Sequence, residues 1–246
     1  MFTELIKRLI GRFGYDIRYS PTTVGECAGR YWILDIQRLL TAQSPLILDI
    51  GANEGQTARE FKARWPQASV HSFEPAPETF DRLAATAKSL KGVTANNVAL
   101  GAKPGTAPLI CHRHSVLNSI LPPGRDYDTW ETLGTCEVEV STVDTYCAER
   151  GIERIDVLKT DTQGFDLEVL RGSREMFVGN RVHLVFAEIT FTEMYDGQAR
   201  YDQVFGILAD HGFSIVSLYD LRYRDHRLEW CNALFVNSNW QSTHIG

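Results

Sequence analysis

From residue 45 onward, short runs of apolar residues alternate with longer stretches whose apolar residues recur every three or four positions. The apolar runs cover residues 46–50, 70–73, 93–98, 155–158, 182–189, 213–218 and 233–236. The helical stretches lie near residues 55–65, 77–91, 142–150, 166–177 and 200–211. Short, nearly continuous apolar runs are typical of parallel strands that are buried on both faces. Their alternation with helices predicts a doubly wound α/β sheet.

Residues 104–140 interrupt this alternation, because they contain several prolines and glycines and two weaker strand-like runs. We interpret them as an inserted hairpin and loop between the third and fourth main strands. Long irregular segments in a compact domain often act as lids or binding loops. No internal repeat divides the rest of the chain, so residues 45–246 are predicted to form one domain.

Residues 2–13 place apolar side chains at helical spacing, with Lys7, Arg8 and Arg12 elsewhere around the helix. This pattern predicts an amphipathic helix, and residues 1–44 as a whole are predicted to be an N-terminal helical extension. The favoured interpretation is that the helix packs against the main domain or shapes a site. Because its polar face is basic, contact with a membrane surface is the alternative.

The amino-acid composition of the chain limits the classes of partner that are expected. The 246 residues include 31 acidic and 25 basic ones, a formal net charge of −6, which argues against a general nucleic-acid binder. The five cysteines form no CxxC pair, so reduced thiols in the cytoplasm are a simpler interpretation than a zinc cluster or a disulfide framework. No apolar run approaches the roughly 20 residues of a transmembrane helix, so stable membrane insertion is not expected. A homo-oligomer stays open.

The first strand leads into a turn with the residues expected at a nucleotide-like site. Asp49 lies at the end of this strand, Gly51 follows in the turn, and Glu74 lies at the end of the second strand. Glycine at position 51 lets the backbone turn tightly beside a ligand without a Cβ in the way. A carboxylate after the second strand accepts hydrogen bonds from the hydroxyls of a ribose. These residues therefore predict a site for a ribose-bearing cofactor.

The glycine spacing in this turn favours S-adenosylmethionine over NAD. A dinucleotide site requires G-x-G-x-x-G, in which the second glycine lets the backbone approach the pyrophosphate. Here Asn53 and Gln56 occupy the second and third glycine positions. S-adenosylmethionine contains a ribose and an adenine but no phosphate, so it does not need that clearance. An NAD-dependent oxidoreductase and a non-catalytic nucleotide-binding scaffold protein are kept as alternatives.

Further charged residues lie near the ends of later strands. Lys159 and Asp161 are two positions apart on the fourth strand and therefore share one face, and Glu188 lies at the end of the fifth strand. Because buried charges are costly unless they are paired, unpaired structural roles for both Lys159 and Asp161 are not expected. Asp49, Glu74, Asp161 and Glu188 are expected to converge on one rim of the sheet, where ligands of open α/β sheets bind.

Four segments carry a family resemblance. The sequences LDIGANEG at residues 48–55, FEP at 73–75, NVAL at 97–100 and LKTDTQG at 158–164 resemble the FkbM family of S-adenosylmethionine-dependent methyltransferases. The resemblance covers about residues 45–190. Asp166 stands where the family usually has a glutamate nearby, and Thr162 where an aliphatic residue is common. Neither departure touches the cofactor motif.

The resemblance implies a Rossmann-like, seven-stranded methyltransferase sheet with its last strand antiparallel. It also implies O-methylation of a hydroxyl on a small-molecule or glycoside acceptor, such as a sugar or a glycosylated or polyketide-type natural product. Glu74 would bind the ribose, residues 97–99 would line the adenine, and Asp161 would lie near the transferred methyl. The cofactor residues expected in this way are Asp49, Gly51, Ala52, Asn53, Glu74, Pro75, Asn97, Ala99 and Asp161.

Methyl transfer to an aliphatic hydroxyl benefits from a base within hydrogen-bond reach of its proton. Asp161 is the first candidate, because its strand-end position faces the expected cofactor. Binding of the methionine ammonium, or pairing with Lys159, is an equally weighted alternative for Asp161. His114 on the inserted segment is a second candidate base, and Lys159 completes the predicted catalytic residues. The predicted substrate-binding residues are His112, Ser119, Gln163 and Glu188.

A divalent metal held by Asp161, Glu188 and a histidine would acidify a diol acceptor through oxygen ligands that suit such ions. No spacing motif supports this alternative, so S-adenosylmethionine is the predicted cofactor and no metal ligand is assigned.

Overall fold

The structure is a computed structural model that describes residues 29–240. Its helices are α1 (Trp32–Leu39), α2 (Gln56–Arg64), α3 (Pro77–Ser89), α4 (Val143–Arg150), α5 (Asp166–Arg171), α6 (Arg174–Val178) and α7 (Tyr201–Asp210). Its strands are β1 (Leu46–Ile50), β2 (Ser69–Phe73), β3 (Val93–Asn96), β4 (Ala99–Leu100), β5 (Gly105–His112), β6 (Thr132–Ser141), β7 (Ile155–Thr160), β8 (Val182–Thr190), β9 (Phe213–Arg224) and β10 (Arg227–Asn237). The helix predicted for residues 2–13 lies outside the described residues. Within residues 29–240, none of the helices is long and apolar enough to span a membrane.

Seven strands form one sheet in the order β3-β2-β1-β7-β8-β10-β9. The neighbours from β3 to β8 run parallel, whereas β10 is antiparallel to both β8 and β9. The sheet therefore extends in both directions from the central pair of β1 and β7. This arrangement confirms the predicted doubly wound α/β sheet and its antiparallel last strand.

Both faces of the sheet are covered, which explains the continuous apolar runs of its central strands. On one face, Ile36 of α1 and Phe61 of α2 pack in a cluster with Phe186 of β8. On the other face, Leu167 of α5 and Leu208 of α7 belong to a second cluster. Burying a large apolar side chain contributes about 1.5–3 kcal/mol. A strand that lies between two such clusters therefore carries apolar residues at successive positions rather than at alternate ones.

Helix α1 belongs to this core, although it precedes the predicted boundary at residue 44. Trp32 stacks on Phe186, with ring centroids 4.9 Å apart. The Tyr219 hydroxyl donates a hydrogen bond of 2.9 Å to the buried Asp35 carboxylate. Residues 32–39 are therefore packed on the same sheet as the strands that follow.

The inserted region forms a second sheet together with β4, with three strands in the order β4-β6-β5. Strands β5 and β6 form an antiparallel hairpin, and β6 also runs parallel to β4. The loop between β5 and β6 contains short 3-10 turns at Ser115–Leu117 and Arg125–Tyr127. Residues 113–121, which we call the covering segment, double back so that Ser119 pairs with Ile110 of β5.

The helix predicted for residues 166–177 forms two helices, α5 and α6. Gly172 lies between them, and a Cβ at this position would lie 2.0 Å from the Gly101 carbonyl oxygen. Two segments of main chain therefore approach each other more closely here than any residue with a Cβ would allow. The periodicity of apolar residues does not reveal such a contact.

The last two strands are longer than the apolar runs at residues 213–218 and 233–236 predict. They continue as a two-stranded hairpin whose turn residues Asp225 and His226 have φ values of 48° and 63°. Left-handed values at both central residues are typical of the tight type I′ turn. The apolar pattern does not predict this extension, because polar residues dominate this part of both strands and many of them are exposed.

Candidate active site

The carboxyl ends of β1, β2 and β7 meet at a cavity. The crevice beside the carboxyl ends of parallel strands is the usual ligand site of an open α/β sheet. Its walls also include residues of β4, β5 and the covering segment. Among the described residues that line it, the charged ones are Glu74 and Asp161, so the cavity is acidic.

The turn after β1 is built around Gly51, which has a φ of 75°. A Cβ at this position would lie 1.8 Å from the Asp161 carbonyl oxygen. Glycine is therefore required both by the backbone conformation and by the close approach of the chain after β7. The N–H groups of Gly51 and Ala52 donate to the Phe73 carbonyl oxygen at 3.1 and 2.9 Å. These bonds fix the turn against the end of β2.

Glu74 is buried in the cavity wall, with 6% of its surface exposed. Its Oε1 accepts a hydrogen bond from the Ala76 N–H at 2.9 Å, and its Oε2 accepts one from the Asn53 N–H at 3.1 Å. Burial raises the pKa of Glu74 to about 7, because the loss of water outweighs the two backbone hydrogen bonds that favour the carboxylate. The residue predicted to bind ribose therefore lies at the cavity and titrates near neutral pH.

Lys159 and Asp49 form a buried ion pair, and neither is among the residues that line the cavity. The Lys159 Nζ lies 3.0 Å from Asp49 Oδ1 and 3.7 Å from Asp161 Oδ2. It also donates to the Gly51 carbonyl oxygen at 3.0 Å. Burial acts to lower the pKa of Lys159, but the charges of Asp49 and Asp161 outweigh it and raise the pKa above its ordinary value. Lys159 therefore stays charged and stabilises the turn after β1 through its contacts with Asp49 and the Gly51 carbonyl oxygen.

Asp161 lies in the cavity wall at the end of β7, with 39% of its side chain exposed. Gln163 also lines the cavity, and its Nε2 donates to Asp161 Oδ1 at 2.8 Å and to Glu188 Oε2 at 3.3 Å. Glu188 lines a smaller neighbouring cavity together with Asp166. Burial, followed by the charges of Asp161 and Asp166, raises the pKa of Glu188 well above its ordinary value. The structure thus brings Asp161, Gln163 and Glu188 into one network.

The other predicted cofactor residues divide into two groups. Pro75, Ala99 and Asn53 line the cavity, whereas Ala52 and Asn97 are not among its lining residues. The Asn97 Nδ2 donates to the carbonyl oxygens of residues 74 and 75 at 2.9 and 3.0 Å. Asn97 therefore holds the loop after β2 and acts on the cavity through the position of that loop.

The predicted residues of the inserted region separate in the structure. Ser119 is buried in the covering segment, lines the cavity, and donates from Oγ to the Gln163 carbonyl oxygen at 2.7 Å. His112 is 3% exposed and lines a different groove, where burial lowers its pKa. His114 is exposed and is not among the cavity's lining residues. Neither histidine is therefore placed in the wall that contains Asp161.

Several residues that shape the cavity were not identified from the sequence. Leu109, Ile120 and Phe165 supply apolar walls. The covering segment is tied to the turn after β1, because the Asn53 Nδ2 donates to the Ser115 Oγ at 3.1 Å. The prolines and glycines of the inserted region signal a loop, but they do not show which of its residues reach the strand ends.

Within residues 29–240, no three histidine, cysteine, aspartate or glutamate side chains are arranged so that they could hold a metal ion. The alternative of a metal held by Asp161, Glu188 and a histidine therefore has no donor set in this part of the chain.

The known proteins to which this chain is similar in sequence are methyltransferases. The model of the methyltransferase FkbM domain matches residues 49–215. The 2-O-methyltransferase NoeI of Sinorhizobium fredii (strain NBRC 101917 / NGR234) is 29% identical over 173 residues, which cover 66% of this chain and 70% of NoeI. Methyltransferase sdnD of Sordaria araneosa is 30% identical over 219 residues, which cover 78% of this chain and 79% of sdnD.

Among solved structures, methyltransferase FkbM from Methylobacillus flagellatus KT matches with a TM-score of 0.55 and 14% identity. The match covers 85% of this chain and 48% of that one, so this chain spans about half of its length, and at this identity the match shows the fold alone. The family model covers more than half of the chain, and the cavity lies within its range. The chain therefore belongs to the FkbM family of S-adenosylmethionine-dependent methyltransferases.

Proposed function

We propose that this chain is an O-methyltransferase that uses S-adenosylmethionine to methylate a hydroxyl of a sugar or of a glycosylated or polyketide-type natural product. The observation that carries the proposal is that Glu74 and Asp161 line one cavity, with Gly51 at the end of the strand between them. The name of NoeI as a 2-O-methyltransferase supports oxygen as the accepting atom.

The residues of the cavity fit S-adenosylmethionine better than a dinucleotide. Glu74 and Asp161 make the cavity acidic, which suits a cofactor with sulfonium and ammonium groups and disfavours a pyrophosphate. Pyrophosphate sites also use free backbone N–H groups near the start of a helix. The Asn53 N–H, which lies just before α2, already donates to Glu74. These contacts argue against the NAD-dependent alternative.

When bound, S-adenosylmethionine supplies an electrophilic methyl group. The protein must orient the acceptor and accept the hydroxyl proton. The partly exposed carboxylate of Asp161 in the cavity, which Lys159 and Gln163 contact, supports Asp161 for the second task. We assign acceptance of the proton to a carboxylate oxygen of Asp161, and contact with the acceptor to Ser119.

The acceptor is assigned to small molecules and glycosides rather than nucleic acids, because an acidic cavity repels a phosphate backbone. We place the enzyme in the cytoplasm, where the thiols of its described cysteines stay reduced.

Thermal unfolding in the presence of each cofactor tests the proposal. A ligand at 100 times its Kd raises the free energy of unfolding by about 2.7 kcal/mol. We expect saturating S-adenosylhomocysteine to raise the Tm clearly and NAD to leave it unchanged, and the reverse result would contradict the proposal. A mass-spectrometric screen of glycosides and natural-product alcohols for the gain of one methylene group then identifies the acceptor. A methyl group gained on nitrogen or carbon instead would contradict the assignment to oxygen.

A further inference from the structure

Gln163 makes contacts with three separate parts of the structure around the cavity. Its backbone follows β7, its side chain reaches β8 and the loop after β8, and its carbonyl oxygen meets the covering segment. A residue that joins so many elements next to a candidate base can control where that base points.

The main chain at Gln163 adopts a conformation that residues with a Cβ rarely take. Its φ is 54°, and Gly164 follows with a φ of 88°. Left-handed backbone at a residue other than glycine is unfavourable, and it persists where the surrounding structure holds it in place. This conformation sets the direction in which the Gln163 side chain leaves the end of β7.

The side-chain amide of Gln163 has a single favourable orientation. Its Nε2 donates to Asp161 Oδ1 at 2.8 Å and to Glu188 Oε2 at 3.3 Å. Its Oε1 accepts a hydrogen bond from the Tyr195 hydroxyl at 2.6 Å. A flipped amide would place Oε1 against the Asp161 carboxylate and would deprive the Tyr195 hydroxyl of the oxygen to which it donates. Because Tyr195 is fully buried, its hydroxyl provides a fixed reference for the amide.

The covering segment is connected to the same residue. The Ser119 Oγ donates to the Gln163 carbonyl oxygen at 2.7 Å and accepts a hydrogen bond from the Leu121 N–H at 3.0 Å. A change in the backbone at Gln163 is therefore transmitted to the segment that forms one wall of the cavity.

We propose that Gln163 is a positioning residue that holds the Asp161 carboxylate toward the cavity and couples it to the covering segment. The proposal rests on the proposed function, in which Asp161 accepts the proton. Without the Nε2 donor, the Asp161 carboxylate is free to rotate toward Lys159, whose Nζ lies 3.7 Å from Oδ2. A carboxylate drawn into that ion pair would leave the position from which it accepts the hydroxyl proton.

Gln163→Met tests the proposal, because methionine keeps the length of the side chain and removes its hydrogen bonds. Gln198→Met is the matched control: the Gln198 side chain bonds to the Tyr195 N–H, the Thr190 hydroxyl and the Thr192 carbonyl oxygen, and no hydrogen bond joins it to Asp161. Both variants thus lose three hydrogen bonds in the same region, but only one loses a contact with the candidate base.

Turnover, the Kd for S-adenosylhomocysteine, hydrogen–deuterium exchange and the Tm are measured for each variant. We expect Gln163→Met to lower turnover of the acceptor found in the mass-spectrometric screen at least tenfold, while its Kd for S-adenosylhomocysteine stays within about threefold of wild type. Hydrogen–deuterium exchange of residues 113–121 in the S-adenosylhomocysteine complex should become faster. Gln198→Met should show neither the loss of turnover nor the faster exchange, although its Tm falls. Tyr195→Phe, which removes one hydroxyl, should reproduce the loss of turnover more weakly and covers the case in which Gln163→Met does not fold.

A double-mutant cycle separates positioning from general damage. In an Asp161→Asn background, Gln163→Met should cause less than a twofold further loss of turnover, because a positioning residue has no base left to position. The proposal would be overturned if the losses of turnover from Gln163→Met and Asp161→Asn multiplied in the double variant. It would also be overturned if Gln163→Met and Tyr195→Phe kept wild-type turnover, or if Gln198→Met lost as much turnover as Gln163→Met. If the wild-type protein neither binds S-adenosylhomocysteine nor methylates any hydroxyl compound, the proposed function fails instead, and this result is distinct from the others.

Discussion

The two halves of the cavity are constructed in different ways. In the half formed by β1 and β2, backbone groups make the defining contacts, as in the hydrogen bond from the Asn53 N–H to Glu74. In the half formed by β7 and β8, side chains from distant segments meet, as when the Tyr195 hydroxyl donates to Gln163. Backbone geometry depends on a few residue types at fixed spacing, whereas a side-chain network depends on how the whole chain packs.

The largest effect is expected from Gly51→Ala, because Gly51 is where the two halves touch. The new Cβ would lie 1.8 Å from the Asp161 carbonyl oxygen at a φ of 75°, and neither backbone can move without disturbing the sheet. We expect the free energy of unfolding to fall by roughly 3 kcal/mol or more and binding of S-adenosylhomocysteine to be lost. Urea unfolding and isothermal titration calorimetry measure the two effects.

Gly206→Ala provides the control for that substitution. Gly206 lies within α7, and apart from its chain neighbours and the backbone of its own helix, a Cβ there would meet no described atom within 4 Å. Alanine at a helical position of this kind should stabilise the fold by about 0.5–1 kcal/mol. If Gly51→Ala behaved like Gly206→Ala, the close approach of the two halves would not be a requirement of the site.

Asp161→Asn tests the β7 half on its own. Removing a general base typically lowers the rate by about 10²–10⁴-fold, so we expect turnover to fall at least about 100-fold while the Kd for S-adenosylhomocysteine stays within about threefold. Single-turnover kinetics and calorimetry make the comparison, with the exposed Asp196→Asn as control. A large rise in Kd with a small loss of turnover would instead show that Asp161 binds the methionine ammonium.

The sequence predicts the buried strands of the sheet better than the exposed ones. The strands predicted at residues 46–50 and 155–158 are legible because both of their faces are buried, so apolar residues occupy successive positions, as at 46–48 and 157–158. The protruding part of β9 and β10 is exposed and polar, and its pairing depends on a turn at Asp225 and His226 that the apolar pattern does not mark.

Within the cavity, Gly51 and Glu74 could be predicted because a glycine after one strand and an acid after the next have a simple geometric meaning. Gln163 and Glu188 were identified as candidates, but their common dependence on Tyr195 was not, because residues 163 and 195 are brought together only when the loop after β8 packs. His112 and His114 were chosen by residue type alone, and the structure places both away from the cavity wall. Residue type identifies a chemistry but does not specify the direction of a side chain.

The stability of the folded protein should depend on pH through Glu74. The unfolded chain ionises this carboxyl near 4.5, and the folded protein does so near pH 7. Between these values the folded state holds a proton that the unfolded state has lost, so the contribution of Glu74 to the free energy of unfolding decreases as pH rises. Relative to Glu74→Gln, which does not titrate, wild-type stability should therefore fall by up to about 3 kcal/mol between pH 4.5 and 8. Parallel pH profiles for the two proteins would contradict this.

The same titration should affect cofactor binding in the opposite sense. If ionised Glu74 accepts the ribose hydroxyls, the Kd for S-adenosylhomocysteine should rise up to about tenfold from pH 8 to pH 6 in the wild type. In Glu74→Gln the Kd should be larger than that of the wild type at pH 8 and nearly independent of pH. Calorimetry at several pH values, with S-adenosylhomocysteine in both proteins, makes this comparison. Equal pH dependence in the two proteins would assign the titration to another group.

The smallest effect is expected where the covering segment meets the β1 half. Ser115→Ala removes the acceptor of the hydrogen bond from Asn53 Nδ2, a contact of 3.1 Å that is only partly buried. One such bond is worth about 0.5–1.5 kcal/mol, so release of S-adenosylhomocysteine, followed by stopped-flow fluorescence, should become roughly threefold to tenfold faster. Ser89→Ala, which removes a bond at the end of α3, should leave release unchanged. If Ser115→Ala also leaves the release rate unchanged, the covering segment is held by its contacts with the β7 half. Gln163 rather than Asn53 would then fix its position.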